Sequence, residues 1–320
     1  MDRDFERFIH NATYSFVNGE KIYNMLSENR SENMDILICP AHLGDTIWIA
    51  IYAETYKKQH NREKLMFAVK DSQREIMEFF GDIDEVACLN FHEMQDLTFY
   101  IAFKGLWNAN GIRYAHFPIR IGIDSGKLFT SQYNPTAAVH GYMDETRCEL
   151  LGLSEGSRKK ECIEALCPDK ELYKKYQNAV MLMPTAISLS LLPKAFWETL
   201  ALLLKSRGYE VYYNYNDLPE EMVLENAQPL KSSFCEMAGF AKAFRGFIGI
   251  RSGICDFLAL LDARLTVLYP EDTDYDKMSV DKNAPMSDNI FRLKNSDNIR
   301  CFLYRKAWEH ELAEKIIDIL

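Results

Sequence analysis

Short apolar runs alternate with longer amphipathic segments along most of the chain. The runs have the length of strands buried in a parallel sheet, and the segments between them carry helical periodicity. The predicted strands are 35–40, 64–69, 85–89 and 112–117 in the first half, and 179–183, 209–213, 247–250 and 263–269 in the second. The predicted helices are 47–56, 72–80, 193–207, 232–241 and 254–261. This alternation favours α/β domains with parallel sheets covered on both faces.

The remaining segments set the domain boundaries. Residues 1–30 predict an amino-terminal helix or two, and glycine-rich 120–135 predicts a long loop. Other expected features are a helix over 134–151, a charged linker over 153–175, a polar irregular stretch over 271–298 and a closing amphipathic helix over 305–320. We therefore expect domains at 1–160 and 170–300, followed by a C-terminal segment at 301–320.

Composition narrows the class of protein. The chain has 320 residues, enough for two domains with separate cores. A net charge of -10 argues against a nucleic-acid partner, because phosphate backbones select a basic face. No apolar run approaches the roughly 18 residues of a membrane span, and MDRDFERFIH lacks the apolar core of a signal peptide. The eight cysteines include no CxxC pair, which favours a reducing compartment, and we expect a cytoplasmic protein.

The first candidate site follows the first predicted strand, at His42-Leu43-Gly44-Asp45. Gly44 permits a tight turn from strand to helix, so that Asp45 projects from the start of the helix. The carboxylate could cap the helix or act as a general base, and His42 is a second candidate base or substrate contact.

The second candidate site follows the strand at 179–183. Thr185, Ser188 and Ser190 precede Pro193 there, and their hydroxyls, with the N–H groups of the helix start, could contact a phosphate or a sugar. The alternative is that these residues only cap the helix.

The third candidate site is the turn of a strand–helix–strand unit, RGFIGIRSGICDFLALLDARLTVLYP. Open α/β sheets bind ligands at the carboxyl ends of their strands, where Arg251, Ser252 and Gly253 lie. Helix-start N–H groups and a guanidinium suit a phosphate, and Asp256 could accept hydrogen bonds from sugar hydroxyls. Alternatively, Ser252 only caps the helix, Arg251 pairs with a surface carboxylate, and Asp256 is an acid in the first turn that the helix dipole stabilises.

These three blocks together resemble the heptosyltransferase-like glycosyltransferases of family 9. HLGDTIW resembles the family's (S/G)LGD segment, the strand–helix–strand unit over 180–213 is similar to the start of its donor domain, and FIGIRSGICDFLALLDARLTVLYP resembles its xxGxDSGxxHxA segment. The blocks occur in the family's order. The resemblance implies the GT-B fold, two Rossmann-like domains facing each other across a cleft. It assigns acceptor binding to 1–160 and nucleotide-sugar binding to 170–300, and it implies that 301–320 packs back on the first domain.

The resemblance also assigns roles by position. Asp45 matches the catalytic base, and Ser252 and Gly253 match the residues that bind the donor diphosphate. Three positions depart from the family pattern: Arg251 replaces an aspartate, Asp256 a histidine and Ser190 a lysine. An arginine at the diphosphate can supply the charge of the absent lysine. The departures therefore indicate a divergent member with a different donor sugar.

The resulting expectation is an inverting glycosyltransferase that needs no cofactor besides its nucleotide-diphosphate sugar donor. Arg251 would take the place of a metal ion at the diphosphate. Asp272 and Asp274 have the DxD spacing that could hold a metal ion, but they fall in a polar stretch that predicts a solvated loop. The acceptor could be a glycan, a lipid-linked glycan or a protein, and peripheral membrane association stays open. The alternatives are a nucleotide-sugar epimerase of the same fold and a non-catalytic domain that binds a glycan or a protein.

Overall fold

The computed structural model describes residues 3–116, 119–124, 127–132, 143–164, 170–186, 189–216, 218–271 and 296–320. The chain divides into two compact units, Met1–Lys160 and Glu161–Leu320. Each unit is built around its own sheet.

The sheet of the first unit has five strands in the order β3-β2-β1-β5-β4. The strands are β1 (Met34–Ile38), β2 (Lys64–Lys70), β3 (Glu85–Leu89), β4 (Asn108–Ala109) and β5 (Ile112–Tyr114). All pairs are parallel except β4 with β5. Strand β1 is buried along its whole length, as expected for a central strand covered on both faces.

The helices of the first unit come before, between and after these strands. They are α1 (Arg3–Glu28), α2 (Leu43–Ala50), α3 (Ala53–Gln59), α4 (Arg74–Met77), α5 (Phe91–Lys104) and α6 (Met143–Leu151). The sequence predicts one helix over 47–56, but the structure divides this region into α2 and α3 at Ile51 and Tyr52.

Helices α1 and α5 pack together over one face of the first sheet. Their buried side chains share a core with alternate residues of the strands, including Ile36, Ile38 and Tyr114. Gly19 lies at the contact, where a Cβ atom would collide with the backbone oxygen of Asp96. Glycine is therefore what allows the two helix backbones to approach so closely.

One segment of the first unit differs from its prediction. The structure forms an antiparallel pair, β6 (Ile119–Asp124) with β7 (Lys127–Gln132), where the sequence predicts a loop. The alternation of apolar and polar residues in IRIGID fits a strand, and residues 125–126 lie outside the described ranges. The predicted helix over 134–151 appears as α6, and residues 133–142 lie outside the described ranges.

The sheet of the second unit has six strands, all parallel, in the order β10-β9-β8-β11-β12-β13. The strands are β8 (Ala179–Met183), β9 (Glu210–Asn214), β10 (Gln228–Leu230), β11 (Gly246–Ile250), β12 (Leu265–Pro270) and β13 (Ile299–Tyr304). The helices are α7 (Lys170–Tyr176), α8 (Lys194–Ser206), α9 (Phe234–Ala243), α10 (Gly253–Leu260) and α11 (Glu309–Asp318). The edge strands β10 and β13 are absent from the sequence prediction.

The closing helix α11 packs within the second unit, and the expectation that residues 301–320 also pack back on the first domain stays a prediction. Its buried residues Leu312, Ala313, Ile316 and Ile317 belong to the core of the second unit, and α11 packs against α8. Strand β13 explains this position, because it joins the edge of the second sheet directly before the helix. The apolar face of α11 is therefore covered within the second unit.

Among the helices that the structure describes, none is both long enough and apolar enough to cross a membrane.

Candidate functional site

Asp45 lies where the central strand of the first sheet gives way to a helix. Strand β1 ends at Ile38, His42 is the N-cap residue of α2, and Asp45 falls in the first turn of that helix. The His42 side chain is exposed and makes no capping hydrogen bond. Asp45 is therefore not the N-cap residue, and its carboxylate sits at the carboxyl end of the sheet, where parallel α/β sheets bind ligands.

The turn before Asp45 is held by side chains from the neighbouring strand and the segment after it. The backbone oxygen of Ala41 accepts hydrogen bonds from Lys70 Nζ at 3.0 Å and from Gln73 Nε2 at 3.1 Å. The amide oxygen of Gln73 in turn accepts from the Thr46 hydroxyl at 3.2 Å. These bonds fix the backbone on both sides of His42 and the start of α2.

A buried arginine from α6 pairs with the Asp45 carboxylate. Arg147 Nη2 donates to Asp45 Oδ1 at 2.6 Å; the Arg147 side chain is fully buried, and 24% of the Asp45 side chain is exposed. Burial alone would raise the pKa of Asp45, but the charges of Arg147 and His116, the Arg147 hydrogen bond and the charge of His42 together hold it below its ordinary value. Asp45 is therefore an ionised, partly exposed carboxylate with a fixed orientation.

A cavity of about 1130 Å³ opens in the first unit beside this turn. Pro40, Lys70 and His116 lie on its wall at the carboxyl edge of the sheet, and residues of α1 and α5 form other walls. Lys70 and His116 both interact electrostatically with Asp45. Two residues of the cavity wall therefore act on the charge of Asp45, the predicted catalytic base.

The corresponding edge of the second sheet carries the other predicted residues. Gly249 of β11 pairs with Met183 of β8, so Arg251 and Thr185, each two residues further on, extend from the same edge. Ser252 is the N-cap residue of α10 and Gly253 is its first residue, although Ser252 makes no side-chain capping bond. Ser190 is partly buried in the segment before α8. Ser188 lies outside the described residues.

Arg251 and Asp256 form a two-pronged ion pair. Arg251 Nη1 donates to Asp256 Oδ2 at 2.9 Å, Arg251 Nη2 lies 2.8 Å from Asp256 Oδ1, and Nη1 also donates to the Ser252 backbone oxygen at 2.6 Å. Only 3% of the Asp256 side chain is exposed. Burial would lower the pKa of Arg251, but Asp256, with smaller contributions from Tyr269 and Cys255, raises it above its ordinary value.

This pair changes the expectation for both residues. The sequence predicts Arg251 as a ligand for phosphate and Asp256 as an acceptor for sugar hydroxyls, but both carboxylate oxygens already face the guanidinium. The pair matches the alternative in which Arg251 binds a carboxylate, with the difference that the carboxylate is buried. The ligand roles of both residues stay predictions.

No group of three or more histidine, cysteine, aspartate or glutamate side chains within the described ranges is arranged to hold a metal ion. Asp272 and Asp274 lie outside those ranges.

Several residues at these edges were not predicted. Arg147 has no sequence signal, because it lies 102 positions from its partner. Lys70 does have one, since a charged residue that ends an apolar strand is placed at the carboxyl edge by the same rule that singles out Asp45. His116 follows β5 in the same way.

No protein-family model and no curated protein matches the chain. Solved structures do match, at low sequence identity. The E. coli heptosyltransferase WaaC with ADP has a TM-score of 0.55 and 13% identity over 90% of this chain and 100% of that chain. The E. coli ADP-heptose lipopolysaccharide heptosyltransferase II has a TM-score of 0.58 and 12% identity over 90% of this chain and 98% of that chain.

A glycosyltransferase of family 9 from Veillonella parvula is similar to the same extent. Its TM-score is 0.53 and its identity 13%, over 91% of this chain and 90% of that chain. At these identities the matches show the fold. They confirm the predicted fold class, the two-domain GT-B arrangement of parallel-sheet units.

Proposed function

We propose that this protein is an inverting glycosyltransferase, which moves a sugar from a nucleotide-sugar donor to a hydroxyl of a glycan or another cell-surface acceptor precursor. The observation that carries the proposal is the ionised Asp45 carboxylate at the carboxyl end of β1, in a chain with the fold of heptosyltransferases. Asp45 also stands at the position of the base in the family that the sequence resembles.

In the proposed reaction, the acceptor hydroxyl oxygen attacks the anomeric carbon of the donor sugar. The new C–O bond forms as the bond from that carbon to the diphosphate oxygen breaks, and the nucleoside diphosphate leaves with the electron pair. Asp45 takes the hydroxyl proton. The pairing with Arg147 favours this role in two ways: it keeps the carboxylate ionised, and it fixes Oδ1 while part of the side chain stays exposed.

We assign donor binding to the second unit. The N–H groups at the start of α10, in the Ser252-Gly253 turn, suit a diphosphate because a helix start carries partial positive charge. Thr185 and Ser190 would supply further polar contacts beside them. Arg251 would stabilise the negative charge that develops on the leaving group, with no metal ion required. Of the three heptosyltransferase and family 9 structures above, WaaC is described with ADP, which supports a nucleotide donor here.

The test compares the parent with Asp45→Asn and His42→Gln. A panel of nucleotide sugars is first screened by thermal shift to find the donor, and transfer is then measured with glycan acceptors. Asparagine keeps the shape of the side chain but cannot take the proton. We expect Asp45→Asn to bind the donor as the parent does and to transfer sugar about a hundredfold more slowly or worse.

The other outcomes identify the alternatives. Loss of turnover only in His42→Gln would make His42 the base. Full activity of both variants would contradict the proposed mechanism. Release of free nucleoside diphosphate without transfer to any acceptor would favour an epimerase, and a protein that binds no nucleotide sugar would be a non-catalytic domain.

A further inference from the structure

Strand register brings a lysine and a histidine together at the carboxyl edge of the first sheet. Ile38 of β1 pairs with Ala68 of β2 and with Tyr114 of β5. Residues two positions further along point to the same face at the same level, which places Lys70 and His116 on either side of Pro40. All three line the cavity of about 1130 Å³ that continues between α1 and α5.

Lys70 is a half-buried ammonium group in this cavity. Its Nζ donates to the Ala41 oxygen at 3.0 Å and lies 6.0 Å from the centre of the Phe91 ring. No carboxylate among the described residues lies within ion-pair distance of it. Burial lowers the pKa of Lys70, and the more distant charge of Asp45 opposes that shift. A buried cation without a close counter-ion is costly, and an anionic ligand would relieve that cost.

The acidic groups of the cavity are already bound within its walls. Asp96 Oδ2 accepts from Asn18 Nδ2 at 2.6 Å, across the contact between α1 and α5. Glu93 Oε2 accepts from the backbone N–H of Asn90 in the capping box of α5. Both carboxylates are therefore held by partners in the wall, and neither forms an ion pair with Lys70.

Aromatic rings and uncharged polar groups complete the lining. Tyr14 on α1 and Phe91 on α5 are 65% and 57% exposed, so their rings are open to a ligand in the cavity. Aromatic faces of this kind pack against the apolar faces of sugar rings. Asn11, Ser15 and Gln95 offer amide and hydroxyl groups for sugar hydroxyls. The volume of about 1130 Å³ lies slightly above the roughly 300–1000 Å³ of most ligand pockets, so the cavity has room for one or more sugar rings.

We infer that this cavity binds a sugar that carries a carboxylate or a phosphate, with Lys70 on the anionic group and Tyr14 and Phe91 against the ring. The description of this sugar as the acceptor rests on the proposed function, whereas binding in the first unit does not. Lys70 then sets the specificity, because it requires a negative charge on the ligand.

The experiment measures binding of three sugars to the full chain by ligand-observed NMR titration, with no nucleotide present. Glucuronic acid presents a carboxylate, glucose 6-phosphate presents a phosphate, and glucose presents neither. We expect at least one anionic sugar to bind about tenfold or more tightly than glucose, the effect of a charge-assisted hydrogen bond. Whichever anionic sugar binds more tightly identifies the group. Equal binding of all three, or no binding, would overturn the inference.

Two pairs of variants locate the site. Lys70→Met should reduce the affinity for the anionic sugar about tenfold or more and leave that for glucose unchanged. Its control is Lys64→Met at the other end of β2, where Lys64 is exposed and pairs with Glu85, and it should bind like the parent. An anion affinity that survives in Lys70→Met would remove Lys70 from the site.

Tyr14→Ala tests the cavity without changing Lys70, and because Tyr14 is 65% exposed, its truncation removes no core packing. It should weaken all sugar binding, whereas Tyr173→Ala, which changes a 50% exposed tyrosine on α7, should not. Equal sugar binding by these two variants would overturn the inference. Nucleotide binding is measured on the same samples. If the parent binds the anionic sugar but no nucleotide, the proposed function alone is contradicted. If it binds a nucleotide but no anionic sugar, the cavity inference alone is contradicted.

Discussion

At the scale of single residues, the two candidate sites are both built on a carboxylate paired with an arginine, but the pairs differ. Asp45 keeps part of its side chain exposed beside a fully buried Arg147, and only one of its oxygens accepts from the guanidinium. Asp256 is buried and faces Arg251 with both oxygens. The first arrangement leaves a carboxylate able to meet a substrate, and the second fixes the turn that contains Ser252 and Gly253.

The Asp45–Arg147 pair predicts a pH-dependent contribution to stability. The folded-state pKa of Asp45 lies below the ordinary value of 3.8, so the pair stabilises the fold above that pH and loses its contribution as the pH falls through the folded pKa. We expect Asp45→Asn to lower the free energy of unfolding at pH 7 and to lower it less at about pH 3. Urea denaturation of both proteins at the two pH values measures this. A difference that does not change with pH would contradict it.

The Arg251–Asp256 pair predicts a loss of stability when its carboxylate is removed. Asp256→Asn removes the charge that compensates a buried guanidinium, and breaking a buried pair in this way costs about 3–5 kcal/mol. The control is Asp318→Asn, which breaks an exposed pair with Arg207 and should cost about 1 kcal/mol or less. Denaturant unfolding measures both. If Asp256→Asn changes sugar preference but not stability, the carboxylate contacts the ligand instead.

At the scale of elements, the strands were the most predictable part of the fold. The predicted range 179–183 coincides with β8, because a strand inside a parallel sheet is a continuous apolar run. The range 85–89 also coincides with β3, although this edge strand is only partly buried. Helix α5 was missed, although Asn90 and Glu93 form a capping box with a recognisable spacing. Its polar residues Asp96 and Thr98 are buried by the contact with α1, so the apolar period is broken in the sequence.

The candidate sites were predictable only where the chain places a residue by local rules. Asp45 and Arg251 each follow a strand, and both lie at carboxyl edges as expected. Their partners follow from packing. Arg147 comes from a helix far along the chain, and the cavity next to Lys70 exists only because α1 packs on α5. Local pattern fixes where a residue lies along its strand, and only the tertiary fold fixes what it meets.

The α1–α5 contact predicts the effect of a single methyl group. Gly19→Ala would place Cβ against the backbone oxygen of Asp96, which cannot move without shifting α5. Overpacking costs about 1–3 kcal/mol, which exceeds the roughly 1 kcal/mol that alanine gains over glycine within a helix. The control is Gly81→Ala, where a Cβ meets nothing within 4 Å. Equal free energies of unfolding for the two variants would show that α5 adapts to the added methyl group.

At the scale of the whole molecule, the division at residue 160 separates two complete folding units. Each has its own sheet and its own buried cluster, and the closing helix α11 completes the second cluster. A segment of about 160 residues buries roughly two-thirds of the surface that its unfolded chain exposes, which is enough for independent stability. The proposed roles of the two units can therefore be tested on separate fragments.

We predict that fragments 1–160 and 161–320 each unfold cooperatively and that they bind different ligands. A nucleoside diphosphate should raise the melting temperature of 161–320 and of the full chain, because the Ser252-Gly253 turn lies wholly in the second unit. It should leave 1–160 unchanged. Stabilisation follows from binding to the folded state alone, and reaches about 2.7 kcal/mol at a hundred times the dissociation constant. Calorimetry on the three proteins measures it. The assignment of the donor to the second unit would be contradicted if the nucleotide raised the melting temperature of 1–160, or if it raised that of the full chain but not that of 161–320.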